Sequence, residues 1–118
     1  MSYPVLLTQK DQSRLIANHK HNEANPENPR DFWPVVKLFT SYTSATWLLT
    51  EYDPETRIAY GLCDLGVGFP ELGYVSLDEL QGVRGQLGLP VERDQHFKAH
   101  QSLSRYASDA NKSRLVLA

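Results

Sequence analysis

The stretch Thr46-Trp47-Leu48-Leu49-Thr50-Glu51-Tyr52, then Asp53-Pro54-Glu55-Thr56, then Arg57-Ile58-Ala59-Tyr60-Gly61-Leu62-Cys63-Asp64 decides the fold. Two runs rich in β-branched, aromatic and other apolar residues flank a short acidic segment with one proline, the pattern of two antiparallel strands joined by a tight turn. Working outward, Val35 to Phe39 has the same strand character and is separated from the hairpin by a Ser/Thr-rich turn. On the other side Gly66, Gly68 and Pro70 interrupt the chain before a fourth strand, Leu72 to Val75. Val91 to Phe97 alternates in character and adds an edge strand. The sheet read from this order is an antiparallel meander.

Helices are expected around it. Thr8 with Asp11 three residues on is a capping box for a helix from Gln9 to His19, whose apolar side is Leu15 and Ile16. Ser76 followed by Asp78 and Glu79 opens a second, with Leu77, Leu80 and Val83 at helical spacing and Gly85 and Gly88 ending it. Ser102 or Ser104 opens a last short helix through Tyr106, and the chain is expected to fray from Asp109. Asn22 to Pro34 reads as a loop because Asn25-Pro26 and Asn28-Pro29 form turns, with Phe32 and Trp33 expected to pin it to the core. The prediction is one α+β domain over residues 1–118: a small antiparallel meander of four to five strands packed with two or three short helices.

At 118 residues, 41% of them hydrophobic and 22% charged, the chain has ordinary globular composition. Its formal net charge of -2 offers no global attraction to a polyanion, so nucleic-acid binding needs a local basic patch. The single cysteine, Cys63, excludes a disulfide framework and points to a reduced, cytoplasmic setting. The N-terminal apolar run is too short for a leader, and no run is long enough to span a membrane.

Several blocks resemble a family of short bacterial proteins classed as a domain of unknown function. They are Pro34-Val35-Val36-Lys37-Leu38-Phe39-Thr40, Thr46-Trp47-Leu48-Leu49-Thr50-Glu51, Gly61-Leu62-Cys63-Asp64-Leu65-Gly66 with its continuation to Leu77, and Leu89-Pro90-Val91-Glu92-Arg93-Asp94. The resemblance spans about Leu7 to Tyr106. It implies a setting on plasmids and other mobile elements, near conjugation, antirestriction or defence functions, and some members carry the label of single-stranded DNA endonuclease. It carries over no catalytic residue.

Two segments are the candidates for chemistry. Asp64-Leu65-Gly66-Val67-Gly68-Phe69-Pro70-Glu71 brings two carboxylates to the ends of a glycine-shaped loop. With Glu51 from the neighbouring strand, Asp64 and Glu71 make either an oxygen-rich site for Mg²⁺ or Mn²⁺ or a loop held by carboxylate-to-backbone hydrogen bonds. The second is Glu92 to Lys98, where a strand places Glu92, Asp94, His96 and Lys98 on one face, either as acid–base groups with His96 and Lys98 at a phosphate or as a solvated charged edge. The catalytic candidates are thus Asp64, Glu71, His96 and Lys98. For binding, Lys37, Trp47, Glu51, Tyr74 and Arg93 combine charge with possible stacking surfaces, against the alternative that the aromatics belong to the core. No resident cofactor is expected outside the metal-dependent reading. The leading expectation is a non-enzymatic accessory protein that binds a macromolecule, protein or single-stranded DNA; the alternative is a divalent-metal-dependent single-stranded DNA endonuclease.

Overall fold

The central hairpin of the sequence becomes the centre of a sheet. The computed structural model describes residues 5–85 and 88–118, so the first residues of the N-terminal run lie outside the described residues. In chain order the elements are α1 (Gln9–Ala24), β1 (Val36–Thr40), β2 (Thr46–Asp53), β3 (Ile58–Asp64), β4 (Glu71–Ser76), α2 (Leu77–Gly82), β5 (Val91–Arg93) and α3 (Leu103–Ser113). The strands lie in the order β4-β3-β2-β1-β5 and every pairing is antiparallel, so the chain is an α+β protein with five strands and three helices.

The sheet is covered on both faces, which explains why β2 is apolar at consecutive positions rather than at alternate ones. Trp47, Leu49 and Ala59 pack on one side with Leu15 of α1 and with Leu77 and Leu80 of α2. Leu48 and Leu62 pack on the other with Leu103, Tyr106 and Ala110 of α3 and with Val116. Each fully buried leucine of this kind contributes about 1.5–3 kcal/mol. Trp47 and Tyr52 are core residues, so of the two alternatives for Trp47 the core one holds and it offers no stacking surface.

The helix starts lie where the caps put them. Thr8 Oγ1 accepts from the Asp11 N–H while the Asp11 carboxylate accepts from the Thr8 N–H, both at 3.1 Å. Ser76 Oγ accepts from the Glu79 N–H at 3.1 Å. The ends differ more. Helix α1 runs five residues past His19 to Ala24 because nothing in Lys20 to Ala24 breaks it, and Pro26 first disfavours helical geometry at Asn25.

Helix α3 continues past Tyr106 to Ser113, with Arg114 in the left-handed region (φ 60°) as its cap. The segment from Asp109, expected to fray, is therefore folded: Ala110 and Val116 are buried, the first on the stripe Leu103, Tyr106, Ala110. Strand β5 stops at Arg93, since the Asp94 side chain accepts from the His96 N–H at 2.9 Å and turns the chain. The expected alignment of Glu92, Asp94, His96 and Lys98 on one strand face does not form.

Candidate functional site

Residues 25–34 leave α1 and cross the molecule toward α3, and three contacts fix their path. The Asn22 side chain grips Arg30 through both main-chain groups, accepting from its N–H at 2.8 Å and donating to its carbonyl at 3.2 Å. The Phe32 carbonyl accepts from the Leu103 N–H at 2.9 Å. Asp31 accepts from the Ser104 N–H at 3.1 Å and from its hydroxyl at 2.5 Å, satisfying an N-terminal donor of α3 that Ser102, the residue at the cap position, leaves unmet. These hydrogen bonds outweigh the effect of burial and hold the Asp31 carboxyl below its ordinary pKa. Phe32 is half-buried, whereas Trp33 is 56% exposed, so only one of the two aromatics anchors this segment.

Beneath the segment lies a pocket of about 610 Å³. One wall is α1, with His19, Asn22 and Glu23; another is Arg30, Asp31 and Phe32; the floor is Glu51, Tyr60, Leu72 and Tyr74 of the sheet, and the far end is Leu103 and Ser104. Tyr60 and Tyr74 are cross-strand partners with ring centroids 5.0 Å apart, and Tyr74 remains 78% exposed. Arg30 lies over the Phe32 ring at 5.8 Å from its centroid.

Glu51 reaches the pocket because β2 carries a bulge. Leu49 pairs with Gly61 and Glu51 with Tyr60, leaving Thr50 without a partner on β3. The extra residue changes the phase of alternation, so Glu51 faces the same side as Tyr60, while Tyr52 on the next position enters the core. Gly61 permits this: a Cβ there would fall onto the Leu48 carbonyl oxygen and within 2.9 Å of Leu49 Cα. Asn18 of α1 donates to the Thr50 carbonyl at 2.9 Å and so ties the helix to the bulge.

The Glu51 carboxylate accepts from Asn22 Nδ2 through Oε2 at 3.2 Å, and its other oxygen has no hydrogen-bond donor among the described residues. Burial pushes the Glu51 carboxyl above its ordinary pKa, against the smaller opposing effects of Asn22 and His19. Burial likewise raises the Tyr60 phenol, helped by the charges of Tyr74, Glu51 and Asp31.

The other expected metal ligands lie elsewhere. Asp64 is fully buried, with Oδ1 accepting from the Gly66 N–H at 2.8 Å and Oδ2 from the Val116 N–H at 2.9 Å. Glu71 pairs with Cys63, the residue before Asp64, and so projects from the opposite face of the sheet. Glu51 shares the Asp64 face but stands five residues along β2 from Thr46, the partner of Asp64, roughly 15 Å away at strand spacing. Glu51, Asp64 and Glu71 therefore do not converge, and among the described residues no three His, Cys, Asp or Glu side chains gather to hold a metal ion. Cys63 is half-buried, with burial and then the Glu71 charge pushing its thiol up to about 11.

His96 and Lys98 are exposed beyond the end of β5, away from the pocket-lining residues. Lys37 pairs with Asp94 at 3.7 Å and also donates to the Ala118 carbonyl. Arg93 pairs with Asp11 at 2.7 Å. Of the five residues proposed for binding, only Glu51 and Tyr74 meet at the pocket. Sequence reading missed His19, Asn22, Asp31 and Ser104 as pocket residues, for which the one available signal was the pair of Asn-Pro turns in a long segment ending in Phe32.

No helix among the described residues is long and apolar enough to cross a membrane. No curated protein and no solved structure matches the chain. A family model described as a protein of unknown function (DUF2958) matches residues 6–117, nearly the whole chain that carries both the sheet and the pocket, and on that match the protein belongs to this family.

Proposed function

We propose that this chain is a non-catalytic accessory protein of bacterial mobile elements, acting in the cytoplasm as a single folded domain, and that it works by binding another protein along β4. The observation that carries this reading is the state of that edge. Sheet edges are ordinarily blunted by charge or proline. Here the loop into β4 exposes Leu65, Val67 and Phe69, and the strand itself exposes Leu72 and Tyr74. A polypeptide that adds a strand to such an edge gains main-chain hydrogen bonds as well as these side-chain contacts.

A protein partner fits the local charge better than single-stranded DNA does. Glu23, Asp31 and Glu51 line the adjoining pocket with Arg30 as the one arginine or lysine, and Glu71 begins the strand, so a phosphate backbone meets net repulsion. The Mg²⁺- or Mn²⁺-dependent nuclease reading draws no support from the positions of Glu51, Asp64 and Glu71.

A photoreactive phenylalanine analogue placed at Phe69 or at Tyr74, and at Ser13 on α1 as a control, tests this in host cells. The expected result is one discrete protein adduct from both edge positions, none from Ser13, and its loss on Leu72→Asp. Adducts with nucleic acid, or equal labelling from Ser13, would overturn the reading.

A further inference from the structure

We propose that the pocket between α1, residues 25–34 and β4 binds a guanidinium group, which stacks on the open face of Tyr74 and pairs with the free oxygen of Glu51. The proposal refines the partner-binding reading by naming the chemistry that the surface beside β4 selects.

Three features of the pocket lead to a cation of this shape. The first is charge: Glu23, Asp31 and Glu51 line it against the single guanidinium of Arg30, and Asp53 lies just beyond, 3.9 Å from His19 Nε2. Walls that exclude part of the solvent concentrate such a field. The second is the aromatic floor. Tyr60 and Tyr74 meet at a tilt of 57°, which leaves the ring of the exposed partner open to a flat cation. The third is the unmet hydrogen-bonding capacity of Glu51, whose Oε1 has no donor among the described residues while Oε2 is held by Asn22.

A guanidinium answers all three at once, since it is planar, weakly hydrated, stacks on aromatic rings and offers paired N–H groups to a carboxylate. An ammonium group supplies the charge but neither the plane nor the paired donors. The pocket already contains one cation–π approach, because the guanidinium carbon of its own Arg30 lies over the Phe32 ring, 5.8 Å from the centroid. That residue also sets the limit of the site: its charge disfavours a second cation near Phe32 and confines the ligand to the Glu51 and Tyr74 side.

The group can come from a free small guanidine or from an arginine side chain of a peptide. Titration of the ¹⁵N-labelled full chain with N-acetyl-arginine methylamide, its citrulline counterpart and a short extended peptide containing one arginine separates these. Expected are amide shifts at Glu51, Tyr60 and Tyr74 with the arginine compound. Affinity is expected to fall roughly tenfold for neutral citrulline and for Glu51→Gln, the scale of one charge-assisted hydrogen bond. Tyr74→Ala, at an exposed position that leaves folding intact, should weaken binding several-fold. Tighter binding of the peptide assigns the group to a protein partner. Equal binding of both assigns it to a free guanidine and leaves the pocket proposal standing while the partner reading falls. Equal affinity for citrulline, no effect of Glu51→Gln, or a preference for inorganic phosphate at the same amides would overturn the proposal.

Discussion

Asp64 and Glu51 lie on the same face of the same pair of strands, yet the two ends of the sheet use their carboxylates in opposite ways. At the Asp64 end both oxygens accept main-chain N–H groups, from Gly66 and Val116, so the charge closes a loop and pins the C-terminal segment. At the Glu51 end one oxygen is held by Asn22 and the other faces a pocket. A carboxylate whose acceptors are all filled by backbone stabilises the fold, and one left half-filled in a partly desolvated site is poised for a ligand. The difference separates a structural acid from a recognition acid without reference to how acidic either segment looks in sequence.

The sharpest way to break this contrast is to remove the bulge that creates it. Gly61→Ala sets a methyl group on the Leu48 carbonyl and should cost more than about 3 kcal/mol in denaturant unfolding, with the Glu51 side of the sheet displaced first. Next in size is Asp64→Asn, in which an amide NH₂ must face one of two buried N–H donors. A loss of about 2–3 kcal/mol is expected, read from the urea midpoint, with release of the Val116 amide in hydrogen exchange.

Glu51→Gln should act in the other direction. Because burial raises the Glu51 carboxyl in the folded state, its contribution to stability is fully present below the ordinary value of 4.5 and is lost as pH rises through the folded value. The ionised group therefore weakens the fold at neutral pH. Unfolding midpoints should show the Gln variant equal to or above the natural protein at pH 7, with that advantage shrinking as pH falls through the raised folded value toward 4.5 and staying constant below it, where the carboxyl is neutral in both states. Smallest is Tyr74→Ala, whose ring is exposed: stability should stay within about 0.5 kcal/mol while ligand response falls.

Much of the scaffold was legible because its determinants are local. The Thr8 and Asp11 cap, the Ser76 cap and the turn at Asp53-Pro54 each involve neighbours a few residues apart, and each forms where the sequence puts it. The sequence pattern ends helix α3 too early because Ser108, Asp109, Asn111 and Lys112 dilute an apolar stripe that needs only Leu103, Tyr106 and Ala110. The charged row from Glu92 to Lys98 failed for a comparable reason: one Asp94 side chain bonding to the His96 N–H ends the strand, and strand propensity does not register it.

The pocket as a whole is illegible in the sequence, although Glu51 and Tyr74 are named for binding. It joins residues from 19–32 with positions 50, 51, 60, 72, 74, 103 and 104, which only the assembled sheet and the Asn22–Arg30 clamp bring together. The face occupied by Glu51 depends on a bulge, and the bulge depends on how close Gly61 comes to the Leu48 backbone, a contact that no spacing rule contains. The family match adds no site residue, so the roles assigned to Asp64 and Glu51 rest on hydrogen-bond accounting.

Thermal unfolding of the natural protein and of Glu51→Gln at pH 7, each with increasing N-acetyl-arginine methylamide, tests the contrast most directly. A ligand at free concentration L that binds only the folded state stabilises it by RT ln(1 + L/Kd), so the midpoint keeps rising with ligand concentration. The account predicts that Glu51→Gln melts no lower than the natural protein without ligand and loses most of the ligand-induced rise. A variant that melts well below the natural protein, yet keeps the full rise, would make Glu51 a structural carboxylate like Asp64 and contradict the account.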